Sequence, residues 1–94
     1  MLHNEVFLVG RLMNRGSKVR INNREALCLV LAVPNDEDYN QNPNKIAVNY
    51  YTDDYKMFYG MIGESFVING HIETKYGNKI ICDSLFLLKT STNC

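Results

Sequence analysis

The stretch VFLVGRLM, at residues 6–13, constrains the fold of this chain more than any other. Side chains alternate along a strand, so one face would hold Val6, Leu8 and Leu12 and the other Phe7, Val9 and Arg11. Gly10 interrupts the inner series, and an isolated glycine in a strand usually marks a bulge, a bend or a close backbone approach. A first strand that bends at a glycine can pair with one neighbour before the bend and with another after it. The sequence therefore predicts a strand that closes a small barrel.

Length and composition indicate one ordinary globular domain that spans residues 1–94. No apolar run approaches the roughly 20 residues that a membrane helix needs. The first residues, MLHNEVF, contain neither a basic leader nor an apolar segment with a cleavage site, so we expect a cytoplasmic protein. Cys28, Cys82 and Cys94 show no CxxC spacing, which indicates free thiols rather than a disulfide framework or a zinc site. We expect no metal and no cofactor.

The formal charge is zero overall but is distributed unevenly along the chain. Residues 1–33 carry five basic residues and two glutamates, whereas residues 34–66 carry two lysines and six acidic residues. A neutral chain with a basic first third can hold one basic face for a polyanion. Ordinary scatter of charge over solvated strands is the alternative interpretation.

Alternating apolar residues predict four further strands, separated by polar or glycine-containing connections. They cover residues 25–33, 45–51, 65–75 and 79–89, and a short extended piece at 19–21 precedes them. Asn22 and Asn23 suit a tight turn because asparagine tolerates positive φ. Gly70 falls inside the fourth of the five main strands and predicts a second bend.

The periodicity changes once, in TDDYKMFYGMIG at residues 52–63. Tyr55, Phe58, Tyr59 and Ile62 recur at i, i+3, i+4 and i+7. This spacing predicts a short helix over about residues 53–62, and we assign Tyr55, Phe58 and Tyr59 to the core. Gly60 weakens such a helix, so only packing against the rest of the protein would hold it.

The predicted order of elements is β-β-β-α-β-β. Five strands with one helix between the third and the fourth is the layout of the OB-fold, a partly open five-stranded barrel. We therefore predict an all-β, five-stranded OB-fold barrel in which one short helix closes one end. A split sandwich of another topology is the alternative.

Four segments of the chain follow one another in the order and at the spacing of a known family. They are Leu8-Val9-Gly10-Arg11-Leu12 after Asn4, Leu31-Ala32-Val33, GESFVINGHIET at residues 63–74, and CDSLFLL at residues 82–88. They resemble bacterial single-stranded DNA-binding proteins. The resemblance implies an OB-fold, binding of single-stranded DNA without strong sequence preference, and a place in DNA replication, recombination or repair. It implies a minimal relative without the family's acid-tipped tail, or a primosomal replication protein of the same fold.

The sequence also departs from this family. It contains no tryptophan, whereas the family stacks bases on tryptophans. Asn49 stands where the third strand of the family carries an outward aromatic residue, and Tyr51 on the same face can substitute for it. Phe7 and Val9 lie on the outer face of the first strand, where the family joins its subunits. The resemblance therefore implies a homodimer or a homotetramer with Phe7 and Val9 at the contact.

Single-stranded nucleic acid is bound by a positive groove combined with aromatic platforms. We predict phosphate contacts from eight basic residues and base stacking from two tyrosines. The basic residues are Arg11, Arg15, Lys18, Arg20, Arg24, Lys45, Lys75 and Lys79, and the tyrosines are Tyr51 and Tyr76. A solvated surface charge is the alternative for each basic residue, and Tyr76 could instead pack against its own hairpin.

Two other classes of function compete with nucleic-acid binding. His71 and Cys82 could approach each other on neighbouring strands, but no third group would orient them, so we expect no catalytic residues and no small-molecule substrate. A protein-interaction module on the OB-fold, such as a replication accessory subunit, is the stronger rival. Zero net charge, the absence of tryptophan and Asn49 favour it. The five basic residues between Arg11 and Arg24 favour single-stranded DNA.

Overall fold

The structure is a computed structural model, which describes residues 4–33, 43–75 and 77–88. Its strands are β1 (Val6–Leu12), β2 (Ser17–Ile21), β3 (Arg24–Val33), β4 (Asn44–Tyr51), β5 (Ser65–Glu73) and β6 (Lys79–Leu88). Hydrogen bonds join β1, β5, β6, β4 and β3 in that order, and β3 returns to β1, which closes a five-stranded barrel. β2 extends the sheet beyond β3. This closed order is that of the OB-fold, so the fold class is confirmed and the split sandwich is wrong.

The strand β1 pairs with two different neighbours, and these pairings close the barrel. Its first six residues are in antiparallel register with β5, whereas Arg11 and Leu12 lie opposite Ala32 and Leu31 of β3. A Cβ on Gly10 would lie 3.0 Å from the carbonyl oxygen of Ala32, so the absence of a side chain lets the two backbones approach. The close approach at Gly10 and the double pairing were both predicted, and both are confirmed.

Two asparagine side chains extend the pairing of β1 beyond its ends. Asn4 donates to the carbonyl oxygen of Ile72 at 2.7 Å and accepts from the N–H of the same residue at 2.9 Å. Asn14 accepts from the N–H of Val30 at 3.1 Å and donates to the carbonyl oxygen of Cys28 at 3.3 Å. Each side-chain amide thus supplies the donor and the acceptor that another strand residue would supply.

The two predicted irregularities in the other strands are also present. Asn22 and Asn23 form the turn between β2 and β3, with φ of 52° and 61°, as a two-residue turn of type I′ requires. In the ladder between β5 and β6 the register shifts between Asn69 and Gly70. A Cβ on Gly70 would overlap the carbonyl oxygen of Ile81. The bend predicted at Gly70 is therefore a β-bulge with close backbone contact.

Aliphatic side chains fill the barrel, together with two phenylalanines. The most deeply buried are Leu12, Leu27, Leu29, Leu31, Val48, Phe58 and Ile68. Phe58 makes edge-to-face contacts with Tyr50 and Phe66, at centroid distances of 6.2 and 5.9 Å. Phe58 thereby closes one end of the barrel, which is the role that we predicted for a short helix.

The predicted helix over residues 53–62 does not form. Residues 53–63, which we call the turn segment, are a series of turns. In this region the N–H groups of Met57, Tyr59, Met61 and Glu64 donate to the carbonyl oxygens three residues earlier. Gly60 has a φ of +79°, which ends any helical path, and so short a segment cannot hold a helix without extensive packing. Among the described residues no helix is long and apolar enough to cross a membrane.

The apolar residues of the turn segment are not all buried. Phe58 is 1% exposed and Tyr55 packs against the core, as predicted. Tyr59 and Ile62 are 49% and 58% exposed. The assignment of Tyr59 to the core is therefore wrong, because turns do not keep the helical face that its spacing implied.

Replacing Gly70 with alanine is expected to lower the free energy of unfolding by about 1–3 kcal/mol, because the added methyl group would push β5 and β6 apart. Gly60→Ala is the matched control. Its Cβ would meet nothing within 4 Å, so only the positive φ would cost free energy, about 1 kcal/mol. Urea denaturation of both variants measures the difference. An unchanged free energy of unfolding in Gly70→Ala would contradict the close approach.

Candidate nucleic-acid interface

An open groove of about 750 Å³ lies on the outer side of the barrel. It is bounded by β2, by the outer face of β3 and β4, and by the hairpin of β5 and β6. Its lining residues are Val19, Arg20, Ile21, Cys28, Lys45, Ile46, Ala47, Asn49, Ile72, Asn78, Lys79 and Ile80. In OB-folds, the face of the second and third barrel strands and the loop between the last two strands bind oligonucleotides and oligosaccharides. Here β3, β4 and the β5–β6 hairpin occupy those places.

The floor of the groove follows from alternation along β3 and β4. Leu27 and Val48 are buried in the core, so their neighbours Cys28 and Asn49 point outward. Cys28 and Asn49 are register partners, and Asn49 donates from Nδ2 to the carbonyl oxygen of Ile80 at 3.4 Å. This hydrogen bond ties β4 to β6 at the single position where these two strands are in parallel register.

Half of the residues that line the groove are aliphatic, and sequence analysis did not identify them as site residues. They are Val19 and Ile21 from β2, Ile46 and Ala47 from β4, and Ile72 and Ile80 from the β5–β6 hairpin. Their alternation is the same as that of core residues, although Ile72 is 42% exposed. For Ile72 and Ile80, the signal that could have identified them is Gly70, since the bulge there changes the register of the β5–β6 hairpin. No lining residue of the groove within the described part of the chain is aromatic.

Three of the eight predicted basic residues line the groove: Arg20, Lys45 and Lys79. Arg20 pairs with Glu25 at 3.2 Å, so part of its charge is neutralised. Among the described residues, neither Lys45 nor Lys79 forms an ion pair with a carboxylate. These two lysines are therefore the cations of the groove that remain available to an anionic ligand.

His71 binds the two carboxylates closest to it on β5 and β6. Its Nδ1 lies 2.8 Å from Asp83 and its Nε2 lies 2.8 Å from Glu73. The hydrogen bond to Asp83, followed by that to Glu73, raises the pKa of His71 above 6.5. Glu73 is the register partner of Lys79, yet its carboxylate is bonded to His71. Among the described residues Glu73 therefore pairs with His71 and forms no ion pair with Lys79.

Arg24 and Tyr51 form a stacked pair beside the groove. The Cζ atom of Arg24 lies 3.9 Å from the centroid of the Tyr51 ring. Asn22 donates from Nδ2 to the Tyr51 hydroxyl at 3.3 Å. Tyr51 and the groove residue Val19 are both register partners of Ala26, so the three residues form one row across the strands. The structure therefore brings these two predicted site residues together at the end of the groove.

Arg15 and Lys18 lie elsewhere, over the tyrosines of the turn segment. Cζ of Arg15 is 4.8 Å from the centroid of Tyr59, and Nζ of Lys18 is 3.9 Å from that of Tyr55. Lys18 is the register partner of the buried Leu27, and it lies on the opposite side of β2 from the groove residue Val19. These two cations are at the closed end of the barrel.

The remaining predicted contacts lie at the margins. Arg11 shares a cross-strand row with Ala32 and Lys45, on the outer face of β1, β3 and β4. The backbones of Lys75 and Gly77 form an isolated β-bridge at the end of the β5–β6 hairpin. Tyr76, between them, is outside the described residues. The basic residues that sequence analysis grouped together are thus distributed between the groove, its margins and the closed end.

The outer face of β1, β5 and β6 is apolar, and we call it the apolar face. Phe7, Val9, Phe86 and Leu88 on this face are between 39% and 64% exposed. Val9, Val67 and Phe86 form a single row across the three strands. Sequence analysis identified Phe7 and Val9 but not Phe86 and Leu88, because the last strand is apolar on both faces. An exposed apolar patch of this kind marks an interaction surface.

His71 and Cys82, the pair considered for catalysis, do not act on each other. The Cys82 thiol donates to the carbonyl oxygen of Ser84 at 3.2 Å, while His71 is bonded to two carboxylates. Burial raises the pKa of the Cys82 thiol to about 11. A buried thiol in this state is not a nucleophile at neutral pH.

The closed strand order and the groove define an OB-fold domain, and solved structures agree with this class. No protein-family profile and no curated protein matches the chain. The dimeric N-terminal domain of PriB from Thermoanaerobacter tencongensis is similar, with a TM-score of 0.69, 15% identity, and coverage of 93% of this chain and 98% of that one.

Two further solved structures are similar over nearly their whole length. The mitochondrial single-stranded DNA binding protein Rim1 of S. cerevisiae has a TM-score of 0.71 and 17% identity, covering 96% of this chain and 99% of that one. The SSB domain of a Synechococcus sp. protein has a TM-score of 0.68 and 11% identity, covering 92% and 97%. At these identities the likeness shows the fold. The chain therefore has the OB-fold shared by the SSB and PriB proteins, in agreement with the resemblance seen in its sequence.

The contribution of His71 to stability is expected to depend on pH. Folding raises the pKa of His71, so protonated His71 stabilises the folded protein. This stabilisation is fully present below the pKa of His71 in the unfolded chain, about 6.5, and is lost as the pH rises through its pKa in the folded protein. The wild type should therefore be more stable than His71→Gln near pH 6, and the difference should shrink at higher pH. Urea denaturation of both proteins across this range measures it. A difference that does not vary with pH would contradict the assignment.

Proposed function

We propose that this chain binds single-stranded DNA without strong sequence preference, performs no chemistry on it, and acts in DNA replication, recombination or repair. The observation that carries the proposal is the groove, which lies where OB-folds bind oligonucleotides and which presents Lys45 and Lys79 without carboxylate partners among the described residues. The structural similarity to Rim1, named for binding single-stranded DNA, and to an SSB domain supports the same ligand here.

The proposed mechanism combines phosphate neutralisation with packing of bases against the groove. Lys45 and Lys79, with Arg11 in the same row as Lys45, supply positive charge along the backbone of the ligand. The aliphatic lining accepts the faces of the bases. Asn49 uses one of its two amide N–H donors on the carbonyl oxygen of Ile80, and this hydrogen bond fixes the orientation of its side chain. A groove with few free hydrogen-bonding groups discriminates weakly between sequences.

Removing the two groove lysines is expected to weaken binding of oligo-dT and to reduce its dependence on salt. Counterion release gives a slope of about −0.7 in log affinity against log salt concentration for each phosphate neutralised. The double variant Lys45→Ala/Lys79→Ala should therefore have a slope that is less steep by about 0.7 for each lysine that contacts a phosphate. Fluorescence anisotropy of a labelled oligo-dT at several salt concentrations measures both effects. Lys56→Ala, which removes a lysine from the turn segment, should leave the slope unchanged.

Cys28 provides an independent readout of where the ligand sits. Cys28 lines the groove, whereas Cys82 is buried with its thiol pKa raised to about 11. In a Cys94→Ser variant, alkylation near pH 8 should therefore report Cys28, and oligo-dT should slow it. Binding that does not depend on salt, or that leaves the alkylation of Cys28 unchanged, would count against the groove. Absence of binding to a long oligo-dT at low salt would refute the proposed function.

We also propose that the apolar face joins copies of this chain into a homodimer or a homotetramer. The row of Val9, Val67 and Phe86, in which Val9 and Phe86 are exposed, supports it, and the similar PriB domain is dimeric. Val9→Glu would place a charge in the middle of the contact and is expected to yield monomers by light scattering. Ile62→Glu is the control, because Ile62 is 58% exposed on the turn segment. A monomeric wild type at high concentration would contradict the proposal.

A protein-interaction module is the second candidate, and one observation favours it. Half of the described residues that line the groove are aliphatic and none is aromatic, and such a surface also suits the apolar side chains of a peptide. The two candidates differ in their response to salt, since peptide binding by apolar contacts persists at salt concentrations that release a polyanion.

A further inference from the structure

Tyr51 makes a second contact in addition to its cation–π contact with Arg24. Both Asn22 and Arg24 come from the end of the β2–β3 hairpin, and both contact Tyr51 of β4. Asn22 bonds the hydroxyl at 3.3 Å, and Arg24 covers the ring at 3.9 Å. The positive φ of Asn22, 52°, belongs to the tight turn that brings the two residues onto the same tyrosine. The ring is therefore held at its hydroxyl and on one face.

The guanidinium of Arg24 remains accessible in this arrangement. Arg24 is exposed, and none of the ion pairs among the described residues includes it. Its register partner is Ile21, which lines the groove. The Cζ atom of Arg24 thus lies over the ring of Tyr51, while the residue itself borders the groove. Arg20, which also comes from this hairpin, is instead tied to Glu25.

We propose that the guanidinium of Arg24, held over the ring of Tyr51, is the platform on which a base of single-stranded DNA stacks. This inference rests on the proposed function and identifies the stacking group of the same site. Tyr51 is then a positioning residue, because Arg24 already covers a face of its half-buried ring. The platform replaces, at the end of the groove, the aromatic residue that the described lining lacks.

The chemistry of arginine suits this role and that of lysine does not. A guanidinium is planar, delocalised and weakly hydrated, so it stacks on an aromatic ring and on a base in the same way. A lysine ammonium carries the same charge but has no plane. Arg24→Lys therefore separates stacking from charge, and an oligomer without bases separates stacking from phosphate contacts.

The test compares oligo-dT with an abasic oligomer of the same length, by fluorescence anisotropy at a salt concentration where the wild type binds both. Arg24→Lys should weaken binding of oligo-dT at least about fivefold and change binding of the abasic oligomer less than about twofold. Tyr51→Leu, which removes the support, should show the same selective loss, whereas Tyr51→Phe keeps the ring and should lose little. Arg15→Lys is the matched control, because it alters the same kind of pair at the closed end of the barrel.

Equal weakening on both oligomers in Arg24→Lys would show that Arg24 acts as a charge, and no weakening on either would show that it does not contact the ligand. Either result overturns the inference while leaving the proposed function intact. Failure of the wild type to bind either oligomer overturns the proposed function and this inference with it. Urea denaturation of Arg24→Lys shows whether the pair also fastens the hairpin to β4.

Discussion

The structure depends on the backbone hydrogen bonds that β1 makes to two different strands. Without the pairs that Arg11 and Leu12 make with β3, the sheet would keep two open edges, each with unpaired donors and acceptors. Close approach at Gly10 permits those pairs, because any Cβ there would press on the carbonyl oxygen of Ala32. Asn14 then continues the contact with β3 after the strand ends. Closure is thus achieved with a short strand, one glycine and one side-chain amide.

The groove is a consequence of this closure. Once β1 joins β5 to β3, the β2–β3 hairpin and the end of the β5–β6 hairpin extend past the paired part of the barrel, and the space between them is the groove. The register shifts at Gly70, and beyond this bulge Ile72 and Ile80 line the groove, with Ile80 also packed against the core. At the opposite end Phe58 fills the barrel through its contacts with Tyr50 and Phe66. The same strands therefore supply a sealed end and an open binding face.

The strands, the close approach at Gly10 and the asparagine turn were predictable from sequence because each depends on local chemistry. The absence of a helix was not predictable. The helical spacing of Tyr55, Phe58 and Tyr59 shows where apolar residues recur, but it does not show how many of them the core can accept. Phe58 is the one residue of the turn segment that is fully buried, and turns place it there. The groove was only partly predictable. Alternation cannot show that Ile72 lies past a bend, and position in the chain cannot show which cations the curvature of the sheet brings together.

Zero net charge does not argue against a polyanionic ligand once the pairing of each charge is considered. Lys18 and Arg15 lie on tyrosines at the closed end, and Arg20 is paired with Glu25, so these residues add little to the field of the groove. Lys45 and Lys79 form no ion pair with a carboxylate among the described residues. Charges more than about 10 Å away are screened at moderate salt, so a ligand in the groove would meet the charges of the groove rather than the net charge of the chain. The proposed binding by so few cations would leave a large share of the affinity to contacts with the bases.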